Sequence, residues 1–511
     1  MNSTFGASLL LAAFAGVVGG VGSSAARPAA DDAARAREVL AAAHGAPAVL
    51  CALAARTVEQ HYGIGPWQPP GGVADTSAAL AWALEHDRHE AAAPVLIEGL
   101  GDDDPCVREV AARLLARIES RAATDGMLRS LGATSAGTRR AAAVALGFAE
   151  TTQALDPLIA RLGDNDAPVR AAAAWALGGL DERRAVPSLR HALGDQTSGV
   201  RAAAAEALGR LEDTTAVAAL INVLKTDSDE RVRLAAAEAL GRIEAKSAIP
   251  ALADALGDRS TSVRRICAWA LGQMEAAEAV PGLAKATDDT DREVREMATW
   301  ALGEMGVRAA APVLIRRLQQ DADPEIRVRA AWALGQIEDH AGIAPLGAAL
   351  RDDKNTEVRI TAAWALGQIE DKESVPLLAA ALRDSSAEVR GNAAWALGQI
   401  GAEHAPDALV AAVKDPSASV RQRAAWALGH IEDASAIPTL KDAVRDADHE
   451  VSKTALWALS QMDNETARAA FVDVLRSSDP EMRAAAARAL GGGHVNPWPW
   501  PQPRPMPRPF P

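Results

Sequence analysis

The chain has 511 residues, 49% hydrophobic and 4% aromatic, and a formal net charge of −14. That acidic balance excludes a chain built to wrap a nucleic-acid backbone, which needs Lys and Arg in excess. Three cysteines, Cys51, Cys106 and Cys267, are too few and too scattered for a disulfide framework or a Cys-based zinc site.

Residues 1–30 stand apart. Leu9 to Val21 is a short apolar run followed by small residues, with Ser24-Ala25-Ala26 as the expected cleavage site. The pattern predicts a secretory signal peptide, and with it a bacterial protein working outside the cytoplasm. No Lys or Arg precedes the run, so two rival readings stay open: an uncleaved anchor, the one segment expected to hold the chain in a membrane, or an internal start within a longer membrane protein. The run is short for a membrane span. Residues 31–73 read as a helical cap and loop. DDAARAREVLAAA opens with acidic residues that suit a helix N-terminus, Gly45-Ala46-Pro47 breaks it, and AVLCALAARTVEQH follows as a degenerate capping repeat. GIGPWQPPGG (63–72) is a loop by composition, with Trp67 expected to staple onto the first repeat.

From residue 74 to 493 one pattern recurs about fourteen times in steps of 31 or 32 residues. It is clearest as VRGNAAWALGQI at Val389 to Ile400, and its Ala-Leu-Gly triplet recurs at Gly147, Gly178, Gly209, Gly241, Gly272, Gly303, Gly335, Gly367, Gly398, Gly429 and Gly491. A fixed period in this range predicts an all-α, α-α solenoid of two-helix repeats. Helix A carries Pro in its first turn, as at Pro376, where the missing N–H costs nothing. A short turn such as Ser385-Ser386 offers a cap for helix B. In helix B, Val389, Ala393, Ala396, Leu397 and Ile400 share the face expected against helix A. Cys267 falls inside such a helix as a small core residue.

Short two-helix repeats with Asp195, Val200-Arg201 and Ala207-Leu208-Gly209 in this register closely resemble the HEAT-like repeats of the phycobilisome lyases. The resemblance implies a solenoid over about four-fifths of the chain. It implies little about activity, because that family spans scaffolds, chromophore lyases and an iron-dependent hydroxylase. It also implies a ladder between adjacent repeats from an Asp six residues before the helix-B Arg, as in Asp195/Arg201, Asp258/Arg264 and Asp384/Arg390. Physical chemistry agrees, since each carboxylate can accept from nearby amides and from a neighbouring guanidinium. The ladder is expected to break at Ser452 and Ser477.

The slot three residues before the Gly is Trp in seven consecutive repeats: Trp269, Trp300, Trp332, Trp364, Trp395, Trp426 and Trp457. On the helical wheel it lies well away from the face against helix A, on the inner surface or in the seam between repeats. Charged residues in the same slot, Glu206, Glu238, Arg113 and Arg488, argue that it is open to solvent. Four residues on lie Gln273, Gln336, Gln368, Gln399 and Gln461, with Glu304 and His430 in the other two repeats. Armadillo repeats, relatives of HEAT repeats, hold extended peptides with rows of Trp and Asn, and this ladder is similar. Stacked at ~10 Å, seven Trp span ~60 Å. A binding groove and a packed seam both fit.

After Gly493, Pro occupies every second position from 497 to 511, which permits polyproline II and excludes helix or strand. Trp498, Trp500, Arg504, Arg508 and Phe510 decorate this tail. It reads as a linker, as a ligand for an aromatic groove of its own chain or a neighbour, or as a weak membrane contact.

No P-loop, nucleophile elbow, HExxH or dinucleotide motif is present. His86 and His89 form an HxxH without a third ligand nearby. The hydroxylase relative, deoxyhypusine hydroxylase, binds iron through His-Glu pairs just after the helix-B Arg. The matching positions here, among them Ala171-Ala172, Arg265-Ile266, Glu296-Met297 and Gly391-Asn392, hold none, and His89-Glu90 and His449-Glu450 sit elsewhere in the repeat. No metal site, cofactor or catalytic residue is nominated. The expected function is a non-catalytic scaffold for a protein or extended peptide, its own tail included. The rivals are a lyase or hydroxylase by resemblance alone, and a regulatory arm of a larger membrane protein.

Overall fold

Alanine-rich sequence with a Pro near the start of most helix A segments folds here as a regular run of helix pairs. The computed structural model describes residues 29–45, 90–462, 465–477 and 479–491. The leader, Trp67, Trp82, the HxxH and the Pro-rich tail lie outside those residues. Among the described residues there is no strand, and no helix is long and apolar enough to cross a membrane. The first helix, Ala29–Gly45, covers the DDAARAREVLAAA segment.

A repeat runs as follows. A single 3-10 turn, Lys372–Ser374, feeds helix A, Val375–Ala381, with Pro in its first turn. A tight turn leads to helix B, Ala387–Ile400. Asp, Asn or Ser fills the N-cap of most helix B segments. The Asn355 side chain accepts from the N–H groups of Glu357 and Val358, and Asp323 accepts from Glu325. Ser386 does not act as the side-chain cap that its type suggests. Its own N–H instead donates to Asp384 at 2.8 Å, so the ladder carboxylate organises the turn.

The chain divides into two compact units, residues 1–182 and 183–511. Within each, helix B packs on its own helix A and on the helix B of the next repeat. In each unit the core is therefore a column of Ala, Val and Leu running through its own helix-B row. Val389, Ala393, Ala396 and Leu397 are all fully buried. Cys267 is free and fully buried, and burial pushes its thiol up. Cys106, by contrast, is disulfide-bonded.

Helix B ends abruptly. Eight non-glycine residues take a left-handed conformation there, Glu150, Asp181, Glu212, Glu244, Glu275, Glu338, Glu370 and Glu432, and Gly306 and Gly401 fill the same place in two other repeats. This position ordinarily favours Gly or Asn. All eight side chains are solvent-exposed.

Candidate functional site

The ladder is directional. Arg327 donates from Nε and Nη2 to the two carboxylate oxygens of Asp353, in the next repeat, at 2.7 and 2.9 Å. Its Nη1 reaches back to the carbonyl of Asp321, in its own turn, at 2.9 Å. The same geometry joins Arg201 to Asp227 and to the Asp195 carbonyl. It joins Arg264 to Asp289 and to the Asp258 carbonyl, and Arg390 to Asp415 and to the Asp384 carbonyl. Asp258 and Asp384 accept the matching fork from Arg233 and Arg359. One guanidinium thus closes its own turn and grips the following one. Arg421 holds the Asp446 carboxyl below the ordinary carboxylate range. At Asp353 partial burial works the other way, and the Arg327 fork with the Asn355 N–H outweighs it. At Ser452 and Ser477 the fork is replaced. The Ser452 hydroxyl donates to the Asp446 carbonyl at 3.0 Å, and Lys453 reaches Glu481 at 2.9 Å.

The Trp row sits in the seam, not in an open groove. Trp300 is 1% exposed and Trp457 5%; Trp332, Trp395 and Trp426 are also buried, and Trp269 and Trp364 are half-buried. The cause lies in the preceding repeat. A methyl group built on Gly335 would come within 2.9 Å of the Trp364 ring and 3.0 Å of the Ala365 backbone. Gly241, Gly272, Gly303, Gly367, Gly398 and Gly429 meet Trp269, Trp300, Trp332, Trp395, Trp426 and Trp457 in the same way. Each glycine makes the notch into which the next indole lies, and helix B approaches helix B at backbone contact.

Of the charged residues that suggested an open slot, Glu206, Glu238 and Arg113 are instead half-buried and partnered. Glu206 bonds Arg210, and Glu238 bonds Arg242 at 2.7 Å, each one turn along the helix. Arg113 lies 4.9 Å over the Phe148 ring, and burial lowers its guanidinium pKa. Each of these charges is compensated while half-buried, so a charged residue in the slot does not require an open groove.

The amide row reaches the surface. Gln273, Gln336 and His430 are exposed, and Gln368, Gln399 and Gln461 are half-buried. His430 stands between Trp426 and Trp457, with ring centroids 4.3 and 5.3 Å apart, and desolvation holds its imidazole below the usual range. The positions where the hydroxylase would carry His-Glu pairs serve packing. Arg329 pairs with Glu296 at 3.0 Å, Asn392 donates to the Glu388 carbonyl at 2.9 Å, and Arg423 covers Gly391, where a side chain would collide with it. Among the described residues no group of three or more His, Cys, Asp or Glu is placed to hold a metal ion.

The family model for HEAT repeats matches residues 74–147, 155–241, 217–300, 280–355, 343–419 and 406–491. The chain belongs to the HEAT-repeat family. A PBS lyase HEAT-like repeat also matches, at residues 138–164. No curated protein matches this HEAT-repeat chain significantly. Among solved structures it is similar to Kap95p in complex with RanGDP, at 14% identity and a TM-score of 0.54, over 91% of this chain and 77% of that one. Importin beta is similar at 18% identity and a TM-score of 0.50, over 90% of this chain and 71% of that one. These likenesses establish the helical-solenoid fold. The phycocyanin lyase complex of CpcE and CpcF from Nostoc sp. aligns at 29% identity over 44% of this chain and 92% of that one, with a TM-score of 0.30. That overlap carries no argument about activity.

One signal in the sequence of this HEAT-repeat protein does locate the seam. Every Trp from 175 to 457 in the slot follows a repeat whose own slot ends in Gly, whereas Ala116 and Ser460 precede Val144 and Arg488. Within this chain every such indole has its notch, although Gly178 and Gly209 precede Glu206 and Glu238.

Proposed function

We propose that this protein is a non-catalytic scaffold that binds a partner protein, through an extended segment, along the helix-B row of residues 183–511. The observation that carries the reading is the surviving surface chemistry of that row. Trp, Gly, Asp and Arg are consumed in holding repeats together, whereas in six of the seven Trp repeats an amide or imidazole is left facing solvent, at Gln273, Gln336 and His430, and partly so at Gln368, Gln399 and Gln461. Amides at a regular rise suit the repeating polar groups of an extended backbone. The indoles contribute rigidity and their edges rather than open faces. The HEAT-repeat fold supports this reading as a surface without a reaction centre.

We further propose an extracytoplasmic setting. The apolar leader supports it, and so does the disulfide at Cys106, because disulfides persist in oxidising compartments.

The test is selection from a display library of random fifteen-residue peptides on the full chain. Selected peptides are expected to lose at least tenfold in affinity for a Q336A/Q368A/Q399A variant of unchanged melting temperature. Equal affinity for both proteins overturns the helix-B row as the binding surface.

A further inference from the structure

The last repeat exposes what every earlier repeat of residues 183–462 hides. Its helices are Glu465–Val474 and Pro480–Leu490. Leu490 is the leucine of the final Ala-Leu-Gly triplet. In the ten preceding triplets, from Leu177 to Leu459, that leucine is 0% exposed; Leu490 is 37% exposed. Leu475 closes the final helix A and is 39% exposed, while its equivalents Leu318, Leu350, Leu382, Val413 and Val444 are buried. Val472, beside it, is 49% exposed. These are the only large hydrophobic residues this exposed among the described residues. Two of them, Val472 and Leu490, line a cleft of about 610 Å³ with Glu465, Arg468 and Ala469, within the ~300–1,000 Å³ of ordinary binding clefts. Among the described residues, a methyl on Gly491 would meet only its own helix's carbonyls, at 3.5 Å. Terminal repeats of a solenoid need a polar outer face. This one keeps core residues where a following repeat would pack.

We infer that residues 494–511 fold back in cis over this end face and take the place of a further repeat, with Trp498 and Trp500 seated on Val472, Leu475 and Leu490. Chain geometry favours this occupant. The described residues end at Gly491, next to the cleft-lining Leu490, and Trp498 is seven residues further on, a reach of ~22 Å were that stretch polyproline II. The end face of two packed helices is about that wide. The chemistry matches as well. An indole can lie on the aliphatic patch beneath the Arg468 guanidinium, and Arg504 or Arg508 can meet Glu465 at the rim. A proline-rich strand carries few donors, so it covers an apolar face without burying unpaired N–H groups. This end cap is a different surface from the helix-B row, and its fate is independent of the peptide-binding reading.

The experiment is photo-cross-linking in the full chain, with Leu475 replaced by p-benzoylphenylalanine. The expected product is an intramolecular adduct within residues 494–511 on a monomer, with a yield that falls at least tenfold in a W498A/W500A background. An adduct joining two chains makes a second copy the occupant and overturns the proposal. So does a yield indifferent to W498A/W500A, or a photolysed ring attached only to its own helices. The same probe at Val472 serves as the second position, should the Leu475 replacement lower the melting temperature.

Discussion

Two glycine environments decide what a single methyl does. At Gly335 an added methyl meets Trp364 and the Ala365 backbone at 2.9–3.0 Å. Backbone cannot yield cheaply, so Gly335→Ala is expected to destabilise by roughly 1–3 kcal/mol. Gly199 is also helical but has nothing within 4 Å of the same methyl, so Gly199→Ala is expected to be neutral or to stabilise by up to ~1 kcal/mol. Urea midpoints of the pair check this, and equal midpoints would remove the notch as the reason for the glycine. The helix-B ends make the converse case. Glu338 sits at φ 51°, a conformation costing roughly 1 kcal/mol in a residue with a Cβ. It also places a negative charge at the negative end of a helix. Glu338→Gly is therefore expected to raise stability by about 1 kcal/mol, read as a higher urea midpoint; a drop would mean that the exposed carboxylate makes a compensating contact.

At the scale of elements, the ladder couples most helix B segments to the next turn, each through one nearly buried ion pair. The Arg327 and Asp353 side chains are only 17% and 10% exposed. Removing one partner strands the other, so Asp353→Ala is expected to cost ~3 kcal/mol, and Asp353→Asn less, because an amide still accepts from one arm of the fork. Calorimetric melting of both variants checks the order. Acid acts on the whole ladder with one sign. Asp164, Asp227, Asp258, Asp289, Asp353, Asp384, Asp415 and Asp446 all hold their protons less tightly folded than at the ordinary 3.8. Their contribution is complete above the unfolded value and disappears as pH falls through the lower folded values. Stability should therefore hold down to about pH 5 and fall steeply below about pH 4, and the fall should be shallower in Asp353→Asn, which has one fewer carboxylate to protonate. An acid limb unchanged by that substitution would separate this site from the transition.

For the whole molecule, the period, the helix pairs and the ladder positions were legible because each is written along one chain direction: a triplet every 31 or 32 residues and an Asp six before an Arg, whereas the carboxylate each Arg grips, as Asp353 for Arg327, lies one repeat further on. The Trp was harder. A helical wheel gives its angle to its own helix A and says nothing of how closely the next helix approaches, and that distance is set by Gly335 and its equivalents one repeat earlier. The left-handed glutamates were hidden for a related reason, since turn propensity alone would have placed Gly there. Nearest-neighbour contact of this kind also dictates how damage spreads. A solenoid is stabilised by each repeat plus its two interfaces, so weakening the seam between Pro324–Ile337 and Thr356–Ile369 with Gly335→Ala should not loosen all parts equally. Hydrogen exchange is expected to quicken most in residues 324–369, less in Ala387–Ile400, and not measurably in Ala136–Phe148. The gradient follows from a core made only of adjacent contacts, in which each lost seam frees two repeats and leaves the others their own interfaces. Uniform acceleration over all these helices would instead require the chain to open as one cooperative unit, and the ladder and notch would then be holding far more together than the repeats they touch.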